Sequence, residues 1–266
     1  MNRTVQRILV AAVVCAAGVY LGLLALLYSE QREMLFVRGR SAEPPLPIYS
    51  VQRIAEDDGT RLTVWRADAA AAQAPVVVFF YGNAGVLSDF APIGTVLHAQ
   101  GYSIVLASYR GYPPNAGAPS EDGILHDARA VLATLPRGHG KVVLWGQSLG
   151  TGVAARMAAE GRADALILQS PYTSIPDVAG RFYPYFPVHL LMRDRFDTLS
   201  AIDRIRMPVL IVSGTADRTV PFDMAQTLAA QLGGRATLVP IPGGGHDLPE
   251  WDVLAIADNW LQKIKH

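Results

Sequence analysis

Serine is a poor nucleophile in neutral water, and one serine of this chain stands where that can change. Gly146-Gln147-Ser148-Leu149-Gly150 is a G-x-S-x-G pentapeptide. Its context gives the pattern weight. The apolar run Val142–Trp145 leads in as a strand, and Thr151–Glu160 leaves as a helix. A sharp strand-to-helix turn strains the serine backbone and lifts its hydroxyl above the sheet, at the positive end of the following helix. Small residues two positions either side let neighbouring segments close in. A rival pattern, Gly150-x-Gly152-x-x-Ala155, imitates a dinucleotide fingerprint. That reading needs an acidic residue at the end of the next strand, where Gln169 and Ser170 stand instead.

The hydroxyl needs a base within reach and an acid to orient that base. On a scaffold of this kind the chain order is serine, acid, histidine. Asp217 lies just beyond the apolar run Val209–Ser213, and His246 follows the last strand within Pro242-Gly243-Gly244-Gly245-His246. Both positions fall past the carboxyl ends of strands, where parallel sheets build their sites. His98, His126 and His189 belong to helical or insertion stretches, His139 to a loop entering a strand, and His266 to the terminus. Asp247 and Asp223 read as solvated or capping carboxylates. Acyl chemistry also needs donors for a developing oxyanion: the N–H of Leu149 at the helix start, and that of Asn83 in Tyr81-Gly82-Asn83-Ala84-Gly85. The simpler alternative for the latter loop is a plain glycine-rich turn.

Positioning these groups requires a sheet. Val76–Tyr81, Ser103–Ser108, Val142–Trp145, Ala165–Gln169, Val209–Ser213 and Ala236–Val239 are short apolar runs without polar alternation, as strands buried on both faces require. Helical patterns lie between them. Ile124, Ala128, Val131, Leu132 and Leu135 recur at helical spacing behind Ser120, an N-cap residue. A last helix from about Pro249 to Ile264 is expected to bury Trp251, Leu254, Ala255 and Trp260. Val51–Glu56 and Leu62–Arg66 flank Asp57-Asp58-Gly59 as a hairpin. The expected fold is α/β: a doubly wound, mostly parallel sheet of eight strands. The interval 171–206 is longer than a crossover needs and holds Phe182, Tyr183, Tyr185 and Phe186 among prolines. It reads as a lid or substrate-binding element, or equally as an aromatic cluster packed beneath a loop.

The chain has 266 residues, with 23 basic against 23 acidic side chains, and this balance argues against a nucleic-acid partner. Half the residues are hydrophobic, which excludes disorder, and the single cysteine, Cys15, leaves no disulfide or multi-cysteine metal site. From Ile8 to Tyr28 there is no charge, a run whose helix would be about 31 Å long, enough to cross a bilayer. The run exceeds a signal-peptide core and no small-x-small cleavage site follows it, so an uncleaved anchor is expected. Arg3 and Arg7 precede it while Arg32, Arg38 and Arg40 follow, so charge gives almost no orientation; the domain is placed outside on the usual arrangement of such anchors. The expected organisation is a tail (1–7), an anchor (8–28), a proline-containing stalk (29–50) and a catalytic domain (51–266).

Four blocks together resemble the α/β-hydrolase superfamily, in particular small serine hydrolases with one N-terminal anchor and a short lid. They are Tyr81–Gly85, Ser108–Ala128, Gly146–Gly150 and the stretch from Ser213 to His246. The resemblance implies Ser148 as nucleophile, Asp217 as acid, His246 as base, and Asn83 and Leu149 as oxyanion donors. Such relatives usually begin the first block with His-Gly, where this chain has Tyr81-Gly82. Tyr81 could instead line the acyl pocket, with Phe182 and Tyr183 as further substrate contacts. The expected activity is hydrolysis of an ester or thioester of a small acyl or lipid-like substrate near the bilayer, without metal or organic cofactor. A peptidase of the same fold and a non-catalytic binding module are the alternatives.

Overall fold

The computed structural model describes residues 2–41 and 43–264, so His266 lies outside the described residues. A long helix, α1 (Arg3–Leu35), precedes a hairpin of β1 (Ser50–Ala55) and β2 (Arg61–Ala67). Alternation then begins: β3 (Val76–Phe80), α2 (Leu87–Ala99), β4 (Ser103–Ala107), α3 (Glu121–Ala133), β5 (Val142–Gln147), α4 (Leu149–Ala159) and β6 (Ala165–Gln169). Three short helices follow, α5 (Ile175–Phe182), α6 (Val188–Leu191) and α7 (Thr198–Ile202). The chain closes with β7 (Val209–Gly214), α8 (Phe222–Leu232), β8 (Ala236–Ile241) and α9 (Glu250–Ile264).

All eight strands form one sheet in the order β1-β2-β4-β3-β5-β6-β7-β8. β1 and β2 pair antiparallel, β2 runs antiparallel to β4, and every other pair is parallel. Every residue of β3, β4, β6 and β7 is buried, which is why their sequences lack polar alternation. β8, at one edge of the sheet, is only partly covered. Helices complete both faces. α3 starts where the sequence signals it, with the Ser120 Oγ accepting from the Gly123 amide at 3.1 Å. α9 buries Val253, Leu254, Ala257, Trp260 and Leu261, while Trp251 is 59% exposed. The inward stripe is thus rotated from the expected one: it excludes Trp251 and the exposed Ala255, because the aliphatic positions share one continuous face.

α1 is 33 residues long and none of its described residues is buried. It is long and apolar enough to cross a membrane. The helix runs past the expected end of the anchor at 28, through Ser29-Glu30-Gln31-Arg32-Glu33-Met34-Leu35, a segment with no proline or glycine to stop it. Among the described residues, chain without helix or strand begins only after Phe36, and Pro44, Pro45 and Pro47 lie in it. The aromatic cluster at 182–186 is not hidden beneath a loop. Phe182 and Tyr185 are exposed, and Phe186 stacks on Tyr20 of α1 at 5.6 Å between ring centroids.

Candidate active site

β5 ends at Gln147 and α4 begins at Leu149, so the whole reversal falls on Ser148. Its φ is 46°, in the left-handed region that costs a side-chain-bearing residue of order 1–3 kcal/mol. The flanking glycines have a steric cause. A Cβ on Gly146 would stand 2.4 Å from the Gly150 carbonyl oxygen, and one on Gly150 would stand 2.0 Å from that of Phe80. The turn is held by the Ser148 N–H donating to the Gln169 carbonyl at 2.9 Å and by Thr151 Oγ1 donating to the Ser148 carbonyl at 2.6 Å.

Ser148, His246 and Asp217 meet at the carboxyl ends of β5, β8 and β7. Ser148 Oγ lies 2.9 Å from His246 Nε2, and His246 Nδ1 lies 2.8 Å from Asp217 Oδ2. The other carboxylate oxygen accepts from the Thr219 and Val220 amides, both at 2.8 Å. Burial works to raise the Asp217 pKa, but the imidazole hydrogen bond and these two amides outweigh it and hold the acid below its ordinary value. The loops carrying acid and imidazole are tied together where the Ala216 N–H donates to the Gly244 carbonyl at 2.9 Å. An alcohol, imidazole and carboxylate linked in this order can pass a proton from the alcohol to the ring.

Neither alternative carboxylate reaches the ring: Asp247 is exposed, and Asp223 pairs with Arg181 at 2.6 Å. The remaining described histidines have other partners. His98 and His139 face backbone carbonyls, His126 bonds Glu56, and His189 lies 3.8 Å from Asp177. One group among the described residues, Glu56, Asp58 and His126, has potential metal-ligand atoms within 4.8 Å of one another. Arg110 already supplies positive charge there, bonding both carboxylates.

The loop after β3 crosses close over the serine: a Cβ on Gly82 would stand 3.1 Å from Ser148 Cβ. Asn83 is fixed through its side chain, whose Nδ2 donates to the Leu35 carbonyl at 2.6 Å and whose Oδ1 accepts from Tyr112 at 2.9 Å. The backbone N–H groups of Asn83 and Leu149 have no acceptor among the described residues. Tyr81 departs from the expected place in an acyl pocket. Its ring is 1% exposed and packs against Tyr109 at 4.6 Å between centroids, and its hydroxyl meets Ser108 Oγ at 2.8 Å. A tyrosine fits here because the phenol finds partners inside the core. Tyr183 lines an apolar groove beside α1, whereas Phe182 is 56% exposed at the end of α5.

Sequence reasoning overlooked Ser170, at the end of β6. Its φ is 52°, and its hydroxyl donates to the His246 carbonyl at 3.1 Å, fixing the backbone that carries the imidazole. The available signal was a small hydroxyl residue at a strand's carboxyl end beside the nucleophile strand.

The chain matches the alpha/beta hydrolase fold family over residues 75–197 and the TAP-like protein family over 193–252. It is 33% identical to an uncharacterized protein of Mycobacterium tuberculosis over 238 residues, covering 86% of this chain and 85% of that one. It is also 33% identical to the lysophosphatidylserine lipase ABHD12 of Rattus norvegicus over 187 residues, 62% of this chain but 47% of that longer protein. Among solved structures, esterase 2 of Thermogutta terrifontis superposes with a TM-score of 0.68 at 23% identity, covering 83% of this chain and 96% of that one. The sheet order, the strand-to-helix turn at Ser148 and these similarities have one reading: the chain belongs to the α/β-hydrolase fold family.

Proposed function

We propose that the protein is a membrane-anchored serine hydrolase that cleaves carboxylic esters or thioesters of lipid-like acyl substrates. The observation that supports this most is the unbroken hydrogen-bond chain from Ser148 through His246 to Asp217, anchored on a strained serine. Ser148 Oγ attacks the acyl carbonyl while His246 Nε2 takes its proton. Asp217 holds the imidazole in the required tautomer and stabilises its charged form. The N–H groups of Leu149 and Asn83 receive the oxyanion, each such donor contributing roughly 10²–10³ in rate. The tetrahedral intermediate collapses, expelling the alcohol or thiol with the proton from His246. Water, activated by the same imidazole, then releases the acid. Esterases and a lysophosphatidylserine lipase among the similar proteins are consistent with ester chemistry. The amino-terminal helix keeps the domain at the bilayer, with the domain on the extracytoplasmic side.

A fluorophosphonate probe and p-nitrophenyl esters, applied to the full-length protein in detergent, test this. Labelling and ester turnover are expected, and both should vanish in Ser148→Ala while its melting temperature stays within a few degrees. Labelling that persists in that variant overturns the assignment. Cleavage of aminoacyl anilides in preference to esters would make the enzyme a peptidase.

A further inference from the structure

The inward side of α1 is not left to solvent or lipid. Along the whole helix only Leu24, Leu27, Gln31 and Leu35 among the described residues are partly covered, and their spacing puts them on one stripe. What covers them is the insertion after β6. Arg32 forms a two-pronged pair with Asp194, at 2.7 and 3.1 Å, and that carboxylate also accepts from the Glu121 amide at the start of α3. The Arg193 guanidinium lies 4.3 Å from the centroid of the Tyr28 ring, and the Arg193 N–H donates to Gln31 Oε1 at 2.8 Å. The helix and the insertion are therefore one packed unit.

Between these attachments a groove stays open, with a volume of about 220 Å³. Leu24, Leu27 and Leu35 form one wall, and Val178, Tyr183 and Leu191 face them from α5, α6 and the segment between them. A dry void of about 150 Å³ already suffices to bind benzene. Gln31 brings an amide to the lining, but its oxygen is taken by Arg193 and its nitrogen donates to the Tyr28 carbonyl at 2.9 Å. The lining asks for hydrocarbon and little else.

Position decides which hydrocarbon. Leu24 and Leu27 lie inside the uncharged run that would cross the bilayer, and Leu35 lies beyond it, about 16 Å further along the helix axis. The outer end therefore opens at membrane depth, where lipid chains are the abundant apolar ligand. The inner end is tied to the candidate site by two hydrogen bonds. The Leu35 carbonyl receives Asn83, whose neighbour Gly82 covers Ser148. On the other wall, α5 follows Tyr172, whose hydroxyl donates to the Leu149 carbonyl at 3.1 Å. Both walls thus continue into the two loops that carry Asn83 and Leu149.

We propose that this groove binds one long hydrocarbon chain of a membrane lipid, admitted sideways from the bilayer and aimed toward Ser148. That the chain belongs to the substrate rests on the hydrolase reading above. α1 is then part of the binding site as well as an anchor.

The test uses full-length protein in phosphatidylcholine vesicles and a monoacyl phospholipid bearing a diazirine at the chain end. The Ser148→Ala background keeps the probe intact. Cross-links mapped by mass spectrometry should fall on 24–35 and on 175–192 together. Ala179→Trp and Leu27→Trp fill the groove from opposite walls, and each should lower labelling of the insertion at least fivefold. Leu190→Trp, at a position 81% exposed outside the groove, should not. In the active protein the same two variants should lower the turnover ratio of p-nitrophenyl laurate to acetate at least tenfold. An unlabelled insertion, labelling indifferent to both tryptophans, or cross-links that join two copies of the chain would overturn the groove. Labelling of the groove in a wild-type protein inert toward every ester would remove the hydrolase reading and leave the groove standing. Ester turnover without groove labelling does the reverse.

Discussion

His246 on Asp217 and His126 on Glu56 are alike in kind, each an imidazole joined through Nδ1 to a buried carboxylate. Their surroundings separate them. The Asp217 carboxylate is held by two backbone amides and by the imidazole, with no guanidinium on it among the described residues. Its charge is left to polarise the ring, and the ring's far nitrogen meets an alcohol. Glu56 shares its oxygen with Arg110, which also bonds Asp127 at 2.6 Å and Asp58 at 2.8 Å. A permanent cation is paired with that carboxylate, and the ring of His126 ends without a described partner for Nε2. A histidine on a buried acid is therefore no signature of catalysis; what stands on the other nitrogen, and whether a cation has already claimed the acid, separates the two.

The comparison breaks most sharply at the first pair. His246→Ala should lower kcat by roughly 10⁴ or more, because the alcohol loses its base, while the melting temperature moves by only a few degrees. Turnover within tenfold of wild type would mean that this pair is no more catalytic than the other. The second pair should fail in the opposite sense. Arg110→Ala strips the cation from Glu56 and Asp127, whose side chains are 0% and 1% exposed, and breaking such a cluster costs about 3–5 kcal/mol. Chemical denaturation in detergent reads that loss directly. A variant as stable as the parent would show that the cluster does not hold the hairpin to α3.

Local features were legible in advance and distant ones were not, for a physical reason. Apolar runs, the pentapeptide and the Ser120 cap are set by neighbours in sequence, so they announce both the parallel sheet and the turn at Ser148. The order serine, acid, histidine follows from where the strands end. Three things depend on contacts that no local pattern encodes. Leu35 and Asn83 are 48 positions apart, and Ser170 and His246 are 76 apart. Tyr81 replaces a polar ring with one that the core absorbs through Ser108 and Tyr109, which only the packed structure reveals. The continuation of α1 beyond the apolar run was not legible, because hydropathy stops at Tyr28 while helix propensity carries on to Leu35.

Acid offers a finer measure of the first pair. Because the folded-state pKa of Asp217 is held below its ordinary 3.8, the ionised carboxylate adds stability that is fully present above that value and fades as pH falls through the lower folded one. Asp217→Asn should therefore be less stable than wild type near neutrality, with the gap closing below about pH 4. Unfolding curves at pH 7, 5 and 3.5 would trace it. A gap that widens in acid would mean that the carboxylate is not stabilised as its partners imply.

The smallest effect is expected at His126, and it sharpens the contrast by what it leaves alone. The side chain is 48% exposed, so its bond to Glu56 is screened by water and contributes about 1 kcal/mol or less. Removing it does not strand the acid, since Arg110 still donates to the same oxygen at 3.1 Å. The other oxygen of Glu56 has no described partner to begin with, so the guanidinium carries most of the compensation. His126→Gln should thus keep ester turnover within about twofold and lower the melting temperature by no more than a few degrees. A loss of turnover comparable to that of His246→Ala, with stability intact, would place both histidines in the chemistry and erase the distinction drawn from their neighbours.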